Sequence, residues 1–190
     1  MIRITAACLV ALGLAAPAGA WTLEPETSSI SYVTIKNGDT AEANMLTRLG
    51  GGVAEDGRAE VEISLSSVET FIDIRNERMR EILFRVADFP VATVTAALDM
   101  DDLAGLAPGG SMLATFEITL AANGSEAGYD ATALVTRAGE NRVIVSSMAP
   151  VIVYIDELGY DDGVERLREI AGLDSIEPTV PVNFNLAFAR

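Results

Sequence analysis

The chain has 190 residues, with 28 Asp and Glu against 13 Lys and Arg, a formal charge of −15, no histidine and one cysteine. That composition cannot assemble the usual zinc, copper or haem ligand sets, nor a Ser-His-Asp or Cys-His catalytic arrangement, and no cofactor is expected. The excess of acid repels phosphate backbones and excludes nucleic acid as a partner.

Residues 1–20 read as a cleavable signal peptide. Arg3 gives the positive start, Ile4 to Leu14 the apolar stretch, and Pro17-Ala18-Gly19-Ala20 a small-residue site with cleavage before Trp21. The stretch is shorter than the roughly 20 residues that a membrane-spanning helix needs. Cleavage removes Arg3 and Cys8, leaving 28 acids against 12 bases over residues 21–190, which are read as one domain. An exported domain without disulfides must be held by its core and by closing the edges of its sheet.

Ser29 to Ile35 reads as the first long strand, with Ile30 and Tyr32 on one face. Asn37-Gly38 is a hairpin pair, and a second strand runs from about Ala41 to Leu49. Gly50-Gly51-Gly52 permits a bulge or bend, and Glu55-Asp56-Gly57 makes another turn. From Ala59 to Ser66 apolar and polar residues alternate, the period of a half-buried strand.

The period then changes. Met79, Ile82, Leu83 and Val86 fall on one helical face, Thr70 is the expected N-cap, and Pro90 ends the insert. Arg75, Arg78, Arg80 and Arg85 crowd this helix; they read either as a solvated face, with Glu81 and Arg85 paired at i, i+4, or as a cationic rim. Val91 to Met100 returns to strand. Asp99, Asp101 and Asp102 then mark a solvated turn or, as the alternative, a carboxylate-only site for a hard cation.

Met112 to Leu120 alternates again, Asn123-Gly124 forms a second hairpin turn, and strands follow at about Ala127–Arg137 and Arg142–Ala149. Pro150 interrupts the run before Val151 to Ile155. Asp161 to Gly172 is a second helix with Val164, Leu167, Ile170 and Ala171 on one face, Asp162 paired to Arg166, and Gly172 at its end. A last strand places Val182, Phe184, Leu186 and Phe188 inward. The expected fold is mainly β: eight antiparallel strands with two short helical inserts, closed where the first strand near Ser29 meets the last near Phe188. A barrel of that size holds one small ligand or fills with side chains.

Several stretches are similar to the YceI-like family of periplasmic lipid- and polyisoprenoid-binding proteins. Trp21-Thr22-Leu23-Glu24-Pro25-Glu26-Thr27-Ser28-Ser29-Ile30-Ser31-Tyr32 resembles its opening aromatic-x-Leu-Asp-Pro-x-His-Ser motif. Val68-Glu69-Thr70, then Arg75-Asn76-Glu77-Arg78-Met79-Arg80, Phe84 and Phe89-Pro90, resembles its central signature, and Val182-Asn183-Phe184-Asn185-Leu186 its closing strand. Thr27 and Arg78 stand where the family has histidines, and Asn76 where it has Asp, so histidine-dependent properties such as haem-associated electron transfer are not carried over. The resemblance implies a lipocalin-like barrel in the periplasm.

The expected function is a carrier that holds an isoprenoid or fatty-acyl lipid. The expected lining is Ile30, Tyr32, Val61, Ile63, Met79, Leu83, Val94, Phe116, Ile118, Phe184, Leu186 and Phe188, with Arg75 and Arg78 as the rim for an acidic head group. The partner is an amphiphilic lipid; transient membrane contact and a homodimer are both compatible with the sequence. The alternatives are an eight-stranded outer-membrane barrel, or a packed barrel that acts through interactions without a ligand. Carboxylate pairs such as Glu60 with Glu62 read as solubility, and no nucleophile is identified, so no enzyme is expected.

Overall fold

The computed structural model describes residues 21–190, and the expected signal peptide lies outside them. Twelve β-segments form one antiparallel sheet: β1 (Trp21–Leu23), β2 (Ser29–Lys36), β3 (Thr40–Leu46), β4 (Leu49–Val53), β5 (Arg58–Ser64), β6 (Val68–Glu69), β7 (Val91–Ala97), β8 (Ser111–Ala122), β9 (Ser125–Gly139), β10 (Arg142–Ser147), β11 (Val151–Tyr154) and β12 (Thr179–Ala189). Three helices interrupt them: α1 (Asp73–Arg78), continued by a π turn over Met79–Leu83, α2 (Met100–Gly105) and α3 (Asp161–Ala171).

The twelve segments make eight barrel strands. β1 and β2 are one strand broken by the 3-10 turn Pro25–Thr27, since β12 pairs with both, as Leu23↔Phe188 and Ser29↔Asn185. β3 and β4 likewise continue one another, pairing with β2 and β1 in turn. β5 and β6 follow on the next strand, and β10 and β11 share β12 on either side of Pro150. With β7, β8, β9 and β12 this is a closed, eight-stranded antiparallel barrel, shut by its first and last strands as the sequence predicts.

Local chemistry explains the path. Asn37-Gly38 and Asn123-Gly124 both take positive φ, the conformation of the tight hairpin turns that suit twisted strands. In the triple glycine, a Cβ on Gly51 would stand 2.1 Å from the Glu60 carbonyl oxygen, and one on Gly52 2.2 Å from that of Trp21. β4 therefore threads between β1 and β5 only because it carries no side chain there.

The turns at 37–39 and 123–124, α1 and α3 all lie at one end, here the upper end. The turns at 54–57 and 140–141 and α2 lie at the lower end. Outward positions in mid-strand include Glu60, Glu62 and Glu117, and charges there are costly against lipid, which speaks against the outer-membrane alternative.

The inserts differ from expectation in detail. Thr70 does not cap α1; it is buried and its hydroxyl donates to Asn76 Oδ1 at 2.6 Å, and the helix starts at Asp73. The insert ends before Pro90, where Arg85 takes φ 48°. Arg85 reaches the Asn123 amide oxygen and lies 4.9 Å over the Phe89 ring, rather than pairing with Glu81. In α3, Arg166 pairs with Glu169 at 3.0 Å instead of with Asp162. Val164 and Leu167 turn inward while Ile170 and Ala171 stay exposed, and Gly172 closes the helix at φ 64°. The aspartates at 99–102 begin an additional helix, α2, rather than a bare turn, with the Asp99 side chain accepting from the Asp101 amide at 2.9 Å.

Candidate ligand cavity

The strands enclose a cavity of about 710 Å³, within the range of small-molecule sites. Alternation places its walls: Ile30 and Tyr32 from β2, Val61 and Ile63 from β5, Val94 from β7, Phe116 and Ile118 from β8, and Phe184, Leu186 and Phe188 from β12. Met79 and Leu83 roof it from the π turn after α1. These are the twelve apolar residues singled out by the sequence, and the fold brings all of them to one space.

Their burial shows that the space is hollow. Phe116, Phe184 and Leu186 point inward yet are only half-buried, and among the described residues no large side chain reaches full burial. A packed barrel interior leaves few voids larger than a water molecule, and inward aromatic residues there would lose all their exposure. The geometry therefore favours a hollow barrel over a packed one.

Further walls went unnoticed in the sequence. Trp21 is 4% exposed on a three-residue strand too short to show a period, and Arg190 lies 4.6 Å above its ring. Phe84 and Tyr160 meet edge to face at 5.9 Å at the upper end, joining the π turn to the start of α3. Met100 and Leu103 of α2 border the lower part; their i, i+3 spacing was the available signal, hidden in a run of aspartates.

Polar groups in the wall are few. The Tyr32 hydroxyl reaches Met79 Sδ at 4.0 Å, and burial pushes its pKa up, so it stays protonated. Thr34 Oγ1 accepts from Asn44 Nδ2 at 3.2 Å.

The arginines expected at the rim lie apart from the cavity wall. Neither Arg75 nor Arg78 borders the cavity. Arg75 Nη1 is paired to Glu42, whose carboxylate also binds Lys36, and Arg75 Nη2 donates to the Thr70 carbonyl at 2.7 Å. The guanidinium clamps α1 to β3, and a group so engaged is not free to hold a head group. The charged residues that border the cavity are acidic: Asp99, Asp102 and Glu177, with Glu117 reaching it only from the outer face of β8. Among the described residues no three His, Cys, Asp or Glu side chains are placed to hold a metal ion.

A closed antiparallel barrel around an apolar cavity defines a binding protein for apolar ligands. The model of the YceI-like domain matches residues 21–188, and the chain belongs to that family. It is similar to a solved polyisoprenoid-binding domain from Saccharophagus degradans implicated in plant cell wall breakdown, at 36% identity and a TM-score of 0.87, over 90% of this chain and 98% of that one. It also shares its fold with BcnA of Burkholderia cenocepacia, at 16% identity and a TM-score of 0.64, over 87% of this chain and 98% of that one. No curated protein matches it.

Proposed function

We propose that this protein is a periplasmic carrier that holds the chain of an isoprenoid or fatty-acyl lipid inside its barrel, loaded during transient contact with a membrane. The observation that carries this reading is the hollow interior: inward Phe and Leu side chains keep accessible surface that only a ligand can cover. Burying a long chain there contributes about 0.8 kcal/mol per CH₂, so affinity needs few polar contacts. The polyisoprenoid-binding relative from Saccharophagus degradans supports the same class of ligand, and the resemblance of the first twenty residues to a signal peptide supports export.

The test is to fill the space. Leu186→Trp adds bulk to a wall residue that faces the void. It is expected to lower binding of a fluorescent polyene lipid about tenfold, while the denaturation midpoint stays level or rises. In a packed interior the same change would cost about 1–3 kcal/mol by overpacking. A destabilised variant with unchanged lipid binding would overturn the carrier reading. Native mass spectrometry of protein taken from its own periplasm identifies the cargo.

A further inference from the structure

The wall of the cavity breaks the two-residue rule in one place. In a closed sheet successive side chains point to opposite faces, so every second residue borders the interior. β2, β5, β11 and β12 follow that rule. On β7 Thr95, Ala96 and Ala97 all border the cavity, with Leu98 and Asp99 after them, and on β8 so does each residue from Ala114 to Ile118. Consecutive residues reach a void together only where the edge of a strand borders it.

The register gives the cause. β7 and β8 pair as far as Ala96↔Ile118, while β8 continues to Ser111 paired with β9. Below that point β7 and β8 part, and the connection carrying α2 bridges the gap with Met100 and Leu103 packed on the core. Outside it lies a cleft of about 1140 Å³ that shares Thr95, Ala96, Ala97, Glu117, Ile118 and Tyr129 with the cavity around this gap, and Trp21, Val53 and Ala59 on the far side of β7. Its charged side chains are Glu60, Glu62, Glu117 and Asp130 against Arg58, and Arg58 is paired with Asp56 at 2.9 Å. Glu117 stands directly opposite Asp130 across β8 and β9, a like-charge placement that weakens a sheet.

We propose that cargo passes sideways between β7 and β8, beneath α2, and that the carboxylates around this passage restrict it to amphiphiles without a negative head group: a neutral isoprenoid or a fatty alcohol, not a fatty acid or an isoprenyl phosphate. This deepens the carrier reading and rests on it. The repulsion reaches about 8 Å at physiological salt, enough to act across such an opening.

Stopped-flow uptake of a fluorescent polyene fatty acid and of its alcohol, at pH 8 and low salt, tests it. The wild type takes up the alcohol about tenfold faster than the acid. Combining Glu60→Gln, Glu117→Gln and Asp130→Asn brings that ratio near one by speeding the acid alone, with the melting temperature level or higher. Combining Glu26→Gln, Glu140→Gln and Glu169→Gln, the same change of charge away from both cavity and cleft, leaves the ratio as in wild type. Equal uptake of both lipids by the wild type, or equal effects of the two triple variants, overturns the passage while leaving a carrier in place. Failure to take up either lipid overturns both.

Discussion

At the upper end of the barrel every insert is fastened more than once. Thr70 donates through both its amide and its hydroxyl to Asn76 Oδ1, and Asn76 Nδ2 donates to Glu69. Asn123 Nδ2 holds the Leu158 and Gly159 carbonyls ahead of α3, and Asn37 Oδ1 accepts from the Asp174 and Ser175 amides beyond it. Gly163 lets α3 cross the π turn so closely that a Cβ there would stand 3.1 Å from Leu83 Cα. At the lower end α2 is fastened at the two ends of its connection, by the Leu98 amide on the Gly57 carbonyl and by Gly109, Gly110 and Leu106 on Arg137. The two ends thus differ: the upper inserts are tied by side chains along their length, whereas α2 is tied at the ends of its connection, beside the place where β7 and β8 part.

The largest expected break in this contrast is Asn76→Ala. Asn76 is 2% exposed, and its loss strands the Thr70 amide and hydroxyl in a buried position. The variant is expected to lose about 3 kcal/mol in urea denaturation, read from the midpoint at constant slope. A loss below about 1 kcal/mol would mean that the roof is not held by this network.

The second is Arg75→Ala, with an expected loss of about 1 kcal/mol and an altered response to acid. The hydrogen bond from Lys36, then the charges of Lys36 and Arg75, hold the Glu42 carboxyl below its usual range. Its contribution is therefore complete above the ordinary glutamate pKa and is lost as the pH falls through the depressed value. Thermal melts from pH 6 down to pH 3 check this: the wild type loses more stability over that interval than Arg75→Ala does.

Those two residues also mark where the sequence stopped being informative. The walls were legible because strand alternation is local: Val61 and Ile63, or Phe184 and Leu186, announce their face by their immediate neighbours. The hairpins were legible because Asn-Gly admits few backbone alternatives. The pairing of Arg75 is not legible in sequence because its partner Glu42 is 33 positions away on another strand. Thr70 fits the pattern of a cap because its hydroxyl stands three residues before an acid, whereas the decisive group is the side-chain amide of Asn76, six residues on. The parting of β7 and β8 depends on where pairing ends, which no periodicity records.

The smallest effect sharpens the contrast. A Cβ on Gly105 in α2 meets nothing within 4 Å, so Gly105→Ala is expected to favour the helix by about 0.5 kcal/mol. If α2 opens on its own, the global denaturation midpoint stays put and only the α2 amides respond, exchanging hydrogen about twofold more slowly. A shift of the whole unfolding transition instead would tie α2 to the roof as one cooperative unit.

β12 has a consequence for how the chain reaches this shape. It pairs with β1, β2, β10 and β11, and the Ala187 amide meets the Ser28 hydroxyl 159 positions away. Four segments wait for the last strand to be made, and a loop of nearly the whole domain has to close before the first strand, already paired with β3 and β4, gains its second neighbour. Topologies of that kind fold slowly, because the entropy of long-range closure is lost before the contacts reward it. Until β12 is made, the segments that pair with it lack that neighbour. Deleting Thr179–Ala189 would arrest folding in that state rather than trim an end.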